Sequence, residues 1–374
     1  MSIGRDNAPV MILHAKRKGL YNYSGLDKAQ ADNIRLNLSE TASGKSVLSS
    51  YPQRIVLELT NACNLNCVMC GRTAKTFNPT YLDRDIIRWL SFSNALDTVA
   101  EVTLMGWGEP TLYPRFAALL EFLGKFRCRK YLCTNGMLLE KYAGAIVDNG
   151  VDLLAVSVNG ADEATNDSLR RGSRLSSILR GIQLVLSRSQ QSEPLVSFVF
   201  CIMRSNYGRL PALIQLAHDH GVKRVKAVHL TAFSADMAYE TMWDRTEELS
   251  GVFEEAAHAA SKYGIELELP YIQGSDPAGS EPHAFCSMPW RDMFIGADGK
   301  TRACMSGSQV ITAIDAENMS FFDVWNSDEY AALRRTVNSA DMPKQCSTCY
   351  QSTFCNWNLK HAYFQISEDF AHEW

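Results

Sequence analysis

No apolar run in this chain approaches the length needed to cross a bilayer. The N-terminal stretch from Met1 to Lys18 mixes charged and apolar side chains and lacks the apolar heart of a secretory signal. Lys and Arg form no long cluster, and the net charge is -4. Nothing here attracts nucleic acid or an anionic membrane, where basic side chains would be gathered. These absences predict a cytoplasmic protein with no nucleic-acid partner and no membrane partner. Of the 374 residues, 46% are hydrophobic and 21% charged, the proportions of a soluble enzyme with room for a barrel and an appendage. Eleven cysteines in a cytosolic chain are poor candidates for structural disulfides, so metal binding or catalysis is their default reading.

Three of those cysteines are packed into Cys63-Asn64-Leu65-Asn66-Cys67-Val68-Met69-Cys70. The C-x3-C-x2-C spacing offers three soft ligands and no fourth. Close thiolates select iron–sulfur clusters or zinc over hard cations. A structural zinc site would need a fourth ligand from elsewhere, and a chance group of buried thiols is the blandest alternative. A cluster held by three cysteines would leave one iron free to bind something else. Cys128, Cys133 and Cys201 lie singly and read as core thiols.

Six short apolar, β-branched runs read as strands: Arg54–Thr60, Glu101–Trp107, Lys130–Asn135, Asp152–Asn159, Leu195–Met203 and Val222–Leu230. Helical patterns at Asp83–Phe92, Arg115–Phe126, Glu140–Asn149, Arg174–Ser187 and Leu210–Gly221 alternate with them. Repeated βα units imply a parallel sheet with right-handed crossovers. Six strands are two short of a closed barrel. The expected fold is therefore α/β, a partial (β/α)6 TIM-like barrel, with ligands gathered at the C-terminal strand ends. Polar motifs fall at those ends: the cysteine trio, then Gly106-Trp107-Gly108-Glu109-Pro110, Thr134-Asn135-Gly136 and Ser157-Val158-Asn159-Gly160.

Three parts are expected: an N-terminal segment over 1–52, the barrel over 53–270, and a small C-terminal α+β iron–sulfur domain over 271–374. The first part is weakly patterned, and Ser39 to Ser50 reads as a loop. Tyr271–His283 is rich in Gly, Pro and Ser and reads as a linker. Met293 to Cys304 then reads as a hairpin about the Asp298-Gly299 turn, and Phe321–Val337 as a helix. Cys286, Cys304, Cys346 and Cys349 bracket this unit, and Cys355 follows. A zinc ribbon is the alternative reading of that group.

With these motifs in place, the chain resembles the radical S-adenosylmethionine (radical SAM) enzymes over about residues 52 to 232. Gly106-Trp107-Gly108-Glu109-Pro110 looks like a variant of the family's Gly-Gly-Glu-Pro motif. Met69 stands where many members carry an aromatic residue, and it can still pack on the adenine. The resemblance implies that Cys63, Cys67 and Cys70 hold a 4Fe-4S cluster whose open iron takes the methionine end of S-adenosylmethionine. Glu109 would accept hydrogen bonds from the cofactor's amino group. Gly106 and Gly108 would let the backbone approach the cofactor closely. Ser157 and Asn159 resemble the family's ribose- and carboxylate-facing residues, with Thr134 and Asn135 beside them; a plain Asn-Gly turn is the alternative for the Ser157–Gly160 stretch. The C-terminal part looks like a twitch or SPASM extension with one auxiliary 4Fe-4S cluster on Cys286, Cys304, Cys346 and Cys349. A radical must be kept from water, and the N-terminal segment, the C-terminal domain and Asn78–Asp83 are the candidate covers.

The implied reaction is reductive cleavage of S-adenosylmethionine, with a flavodoxin- or ferredoxin-like reductant, followed by hydrogen abstraction from substrate. Three substrates are in view. The first is a small-molecule substrate, a sugar, aminocyclitol or nucleoside, oxidised with the auxiliary cluster as electron acceptor. The second is a ribosomal peptide that is crosslinked or epimerised; the first fifty or so residues look too short for a leader-binding unit. The third is redox-neutral epimerisation or decarboxylation, with Cys355 as hydrogen donor. An iron–sulfur carrier without catalysis would have no use for Glu109 in its setting.

Overall fold

The computed structural model describes residues 25–74, 78–189, 194–270, 272, 285–304, 310–343 and 346. Its strands are β1 (Arg54–Leu57), β2 (Asn66–Cys67), β3 (Glu101–Leu104), β4 (Arg129–Thr134), β5 (Leu153–Ser157), β6 (Arg170–Arg171), β7 (Leu195–Ile202), β8 (Arg224–His229), β9 (Glu266–Glu268), β10 (Asp292–Ile295), β11 (Lys300–Arg302) and β12 (Val310–Ala313). Ten of them form one sheet in the order β12-β11-β10-β1-β3-β4-β5-β7-β8-β9, while β2 and β6 make a separate ribbon. From β10 to β9 every neighbouring pair is parallel. From β1 to β9 the order never reverses. Right-handed crossovers that always step the same way place their helices on one face, which is the winding of a barrel and not of a doubly wound sheet.

All six expected strands form. Helices Arg84–Phe92, Phe116–Leu123, Leu139–Asp148, Leu175–Arg188 and Leu210–Asp219 lie within three residues of their expected bounds. Two more parallel strands were not anticipated. β9 is only three residues long and follows helix Thr246–Tyr263, so its sequence signal is slight. β10 is the first strand of the expected C-terminal hairpin, and it pairs parallel with β1, Arg54 to Asp292 through Leu57 to Ile295. Within this sheet, among the described residues, only the β10–β11 and β11–β12 pairs are antiparallel. The iron–sulfur region thus shares the barrel's sheet.

Side chains alternate across the sheet. Leu132, Leu154, Val156, Phe198, Phe200 and Val225 are fully buried with the helices. Tyr131, Ala155, Ser197 and Lys226 line a small cavity on the sheet's other, inner face. Cys133, Ser157 and Cys201 fall on the same inner side by the period of two.

The N-terminal segment departs from expectation. Lys28–Ala42 is a helix opened by an Asp27 capping box. Its buried residues are mostly polar: Gln30 donates to Val99 O at 3.0 Å, and Asn37 to Trp290 O at 2.8 Å. Glu40 accepts from Ser49 N at 2.9 Å and Ser50 Oγ at 2.7 Å. A helix that docks through hydrogen bonds has little apolar stripe to betray it. Among the described residues, no helix is long and apolar enough to cross a membrane.

Candidate active site

Beyond Leu57 the chain leaves β1 and enters the cysteine loop. There β2 pairs antiparallel with β6, setting Cys67 directly across from Arg170, and Val68 N donates to Leu169 O at 2.9 Å. Cys63, Cys67 and Cys70 are half-buried and form no disulfide among the described residues. Cys70 N donates to Cys67 O at 3.2 Å, closing the turn between the last two. Burial pushes the Cys70 thiol up to about 11 and also raises Cys67; iron ligation would displace those protons. Asn78–Asp83 is strapped alongside: Thr60 Oγ1 donates to Thr80 O at 2.7 Å and Thr80 N to Asn61 Oδ1 at 2.8 Å.

The two glycines before Glu109 do admit a close approach, but to the protein itself. A Cβ at Gly108 would sit 2.1 Å from Thr60 O, and one at Gly106 2.4 Å from Glu58 Cγ. The cysteine loop therefore packs directly on this turn, and Glu109 N donates to Ala62 O at 2.8 Å. Glu58 was not singled out from the sequence. Its carboxylate accepts from Trp107 N at 2.7 Å and Ala297 N at 3.2 Å, tying the glycine turn to the C-terminal hairpin. Burial lifts its pKa above the ordinary carboxylate range, against those N–H donors.

Glu109 is 3% exposed. Its Oε1 accepts from Thr111 Oγ1 at 2.6 Å, Thr134 Oγ1 at 2.7 Å and Thr111 N at 3.1 Å. Among the described residues, Oε2 accepts only from Asn135 N, at 2.7 Å. A carboxylate oxygen has two lone pairs, so Oε2 keeps room for one further donor in a fixed place. The side chain expected to meet a ligand is thus first a clamp across the ends of β3 and β4.

Two asparagines reach from strand ends to the trio loop. Asn135 Nδ2 donates to Asn64 Oδ1 at 2.7 Å and lies 3.9 Å from Cys63 Sγ. Asn159 Nδ2 lies 3.7 Å from Met69 Sδ, while its Oδ1 accepts from Cys201 N at 3.0 Å. Asn159 is itself held by residues the sequence did not mark: Asn166 Oδ1 accepts from its N–H at 2.9 Å, and Asn206 Nδ2 donates to its carbonyl at 3.0 Å. Neither shows any periodic signal. Ser157 ends β5, half-buried.

Cys133 and Cys201, expected as core thiols, are only half-buried by residue exposure and fall on the inner face of the sheet; Cys128 is fully buried as expected. Burial raises the Cys133 thiol to about 11 and Cys201 to about 12. Trp107 and Phe233 meet edge to face at 5.6 Å, and both stand 3.0 Å from where a Gly71 Cβ would be. They form an apolar wall just beyond Cys70.

In the C-terminal region Cys286, Cys304 and Cys346 are half-buried. Cys286 N donates to Asn338 Oδ1 at 2.8 Å and Cys346 N to Pro343 O at 2.8 Å. Cys304 lies just past β11. Cys349 and Cys355 lie outside the described residues. Among those described, no three His, Cys, Asp or Glu side chains close around a single metal ion. At the trio, the donor set suits an iron–sulfur cluster: three thiols in one loop, bounded by an apolar wall and two amide side chains.

Comparison with known proteins follows the same division of the chain. Residues 57–217 match the Radical SAM superfamily, and residues 286–350 match SPASM, an iron–sulfur cluster-binding domain. The tungsten-containing aldehyde ferredoxin oxidoreductase cofactor-modifying protein of Pyrococcus furiosus is 22% identical over 81% of this chain and 88% of its own. The PqqA peptide cyclase of Gluconobacter oxydans is 22% identical over 81% of this chain and 84% of its own. Among solved structures, Streptococcus suis SuiB bound to S-adenosylmethionine superposes with a TM-score of 0.65 at 16% identity, covering 90% of this chain and 81% of that one. SuiB has also been solved bound to its precursor peptide SuiA, with a TM-score of 0.62 at 15% identity, covering 90% of this chain and 79% of that one.

Proposed function

Because this chain is a radical SAM enzyme with a C-terminal SPASM-type iron–sulfur domain, we propose that it modifies a peptide, by crosslinking or epimerisation. Its cofactors are S-adenosylmethionine, a 4Fe-4S cluster and auxiliary iron–sulfur binding in the SPASM domain. The observation that carries the substrate reading is the reach of the match to a peptide cyclase, which runs through barrel and C-terminal domain alike. The shared fold with a protein that binds a precursor peptide agrees with it. The expected sugar, aminocyclitol or nucleoside finds no support among these relatives. The N-terminal segment weighs against a peptide by its shortness and weak patterning, but a substrate can be held by the barrel mouth instead.

Within this reading Cys63, Cys67 and Cys70 hold the cluster, which when bound supplies the electron that breaks a carbon–sulfur bond of S-adenosylmethionine. Glu109 Oε2 offers its open lone pair to the cofactor's ammonium. Met69 presents its thioether to the adenine, oriented by Asn159. Asn135 and Asn64 fix the loop that carries Cys63. The Trp107–Phe233 wall keeps water from one side of the reacting carbon. Cys286, Cys304, Cys346 and Cys349 hold the auxiliary cluster. A flavodoxin- or ferredoxin-like protein delivers the electron.

The test is anaerobic turnover of reconstituted protein with S-adenosylmethionine, a low-potential reductant and short peptides encoded beside its gene, followed by mass spectrometry. A crosslink loses two hydrogens; epimerisation in deuterated water gains one deuterium. Cofactor cleavage with every peptide returned unchanged would overturn the proposal. A second reading, modification of an oxidoreductase cofactor, is favoured by the Pyrococcus furiosus relative, and a mass change in an added tungsten-containing oxidoreductase cofactor would select it.

A further inference from the structure

Arg170 is 6% exposed, and its Nε is buried without a hydrogen-bond partner. Every other buried guanidinium with an unpartnered Nε that ends or begins a sheet strand has a carboxylate close by: Arg54 has Asp292, Arg224 has Glu268, and Arg302 has Asp298. No ion pair or hydrogen bond of the Arg170 side chain exists among the described residues. Burying a lone cation is costly, so a site that keeps one awaits a negative partner. Sulfur surrounds it instead. The β2–β6 pairing sets Arg170 across from Cys67, where directly opposed side chains share a face. Its positive charge also reaches Cys133 and Cys201 on the inner face of the sheet.

We propose that Arg170 is the built-in counter-charge of the cluster held by Cys63, Cys67 and Cys70, and that it raises that cluster's reduction potential. Three thiolates leave such a cluster anionic, and reduction adds one more negative charge. Net charge and burial are what set the potential of a cluster. A fixed cation across from Cys67 favours the reduced, more negative form. One electron enters from a low-potential donor of flavodoxin or ferredoxin type; no bond forms or breaks at Arg170, which stays a monocation throughout. Arg72 also lies near Cys67 and Cys70, but it belongs to the same loop and has contacts of its own. Arg170 comes from a separate strand and acts as a positioning residue for charge. The proposal rests on the trio holding a cluster and is independent of what the substrate is.

The experiment is a redox titration of the full-length, anaerobically reconstituted protein, read by electron paramagnetic resonance with S-adenosylmethionine absent. The relevant signal is the one that Cys67→Ala removes. Arg170→Met is expected to disfavour the reduced form about tenfold, a shift of roughly 59 mV to lower potential for one electron. Arg170→Lys, which keeps the charge, is expected to recover at least half of that shift. If Arg170→Met loads no cluster, a loaded Arg170→Lys with near-native potential still supports the proposal, and loss of the cluster in both variants overturns it. A loaded Arg170→Met with native potential also overturns it. Should that variant keep the native potential and instead lose the spectral response to added S-adenosylmethionine, Arg170 serves the cofactor's carboxylate and the proposal is overturned. The absence of a modified peptide would leave all of these readouts unaffected.

Discussion

The two ends of the parallel sheet treat buried charge in opposite ways. At the N-terminal ends of β1, β3 and β10, Arg54 pairs with Asp292, which also accepts from Arg291 Nε at 2.9 Å. Glu101 is a neighbour in the same register row and is capped by Thr103 Oγ1 at 2.6 Å. At the inner face toward β9, Arg224 and Lys226 share Glu268 at 2.7 and 3.1 Å. At the C-terminal ends, Glu109 is held by neutral hydroxyls and two backbone N–H groups, and Arg170 lies across from Cys67. Paired charges lock the base of the sheet. Unneutralised ones stand where an ionic cofactor is to arrive, since a preorganised field needs an outside partner to complete it.

The largest expected effect would break that contrast at its functional end. Cys67→Ala is expected to reduce S-adenosylmethionine cleavage to the uncatalysed level while iron remains in the C-terminal domain; counting iron and 5′-deoxyadenosine in the same sample checks both. At the paired end, Asp292→Asn is expected to cost about 3–5 kcal/mol, because it removes the counter-charge shared by buried Arg54 and partly buried Arg291. Burial alone would raise the Asp292 pKa, but Arg291 and Arg54 outweigh it and hold the carboxyl below the usual range. A depressed folded value means the contribution is complete above the unfolded pKa of about 3.9 and fades as pH falls toward the folded one. Urea unfolding should therefore show a constant gap between wild type and Asp292→Asn near neutrality and a narrowing gap in acid.

Asn206→Ala removes three hydrogen bonds, Nδ2 to Asn159 O and to Cys201 O and Met203 N to Oδ1, and should cost roughly 1–3 kcal/mol; urea unfolding of the iron-free protein measures it. The smallest effect sharpens the comparison most. In that same iron-free protein, Arg170→Met should change stability by no more than about 1 kcal/mol, or raise it, since no pair is broken and a buried charge is relieved. A loss as large as that of Asp292→Asn would mean Arg170 has a structural partner after all.

Much of the site was legible before any coordinates, because its residues sit where strands stop. β1 ends at Leu57 and β3 at Leu104, and the polar motifs begin within a few residues of each. Period-two and period-3.6 patterns mark such boundaries well. What the patterns could not reveal has a common cause. Asn166, Asn206 and Arg170 lie in short or irregular segments where no hydrophobic period runs. Helix Lys28–Ala42 buries Gln30, Asn33, Asn37 and Glu40, so its buried face looks like a surface. β10 reads locally as half of a hairpin, and its parallel pairing with β1 joins residues 238 apart in the chain, as for Arg54 and Asp292. Gly106 and Gly108 are expected to let the backbone approach the cofactor; in the structure the Glu58 side chain closes on Gly106 and the backbone of residues 60–62 on Gly108.

That parallel pairing governs how the chain can be cut. Stripping away everything after the barrel would leave Ile55-Val56-Leu57 with a bare row of amides and carbonyls along one side, a template for adhesion to other chains. It would also remove Ala297, the second N–H that secures Glu58 under the glycine turn. A shortened version made to isolate the first cluster should therefore be sought in inclusion bodies, whereas mutating the late cysteines one by one leaves the scaffold whole.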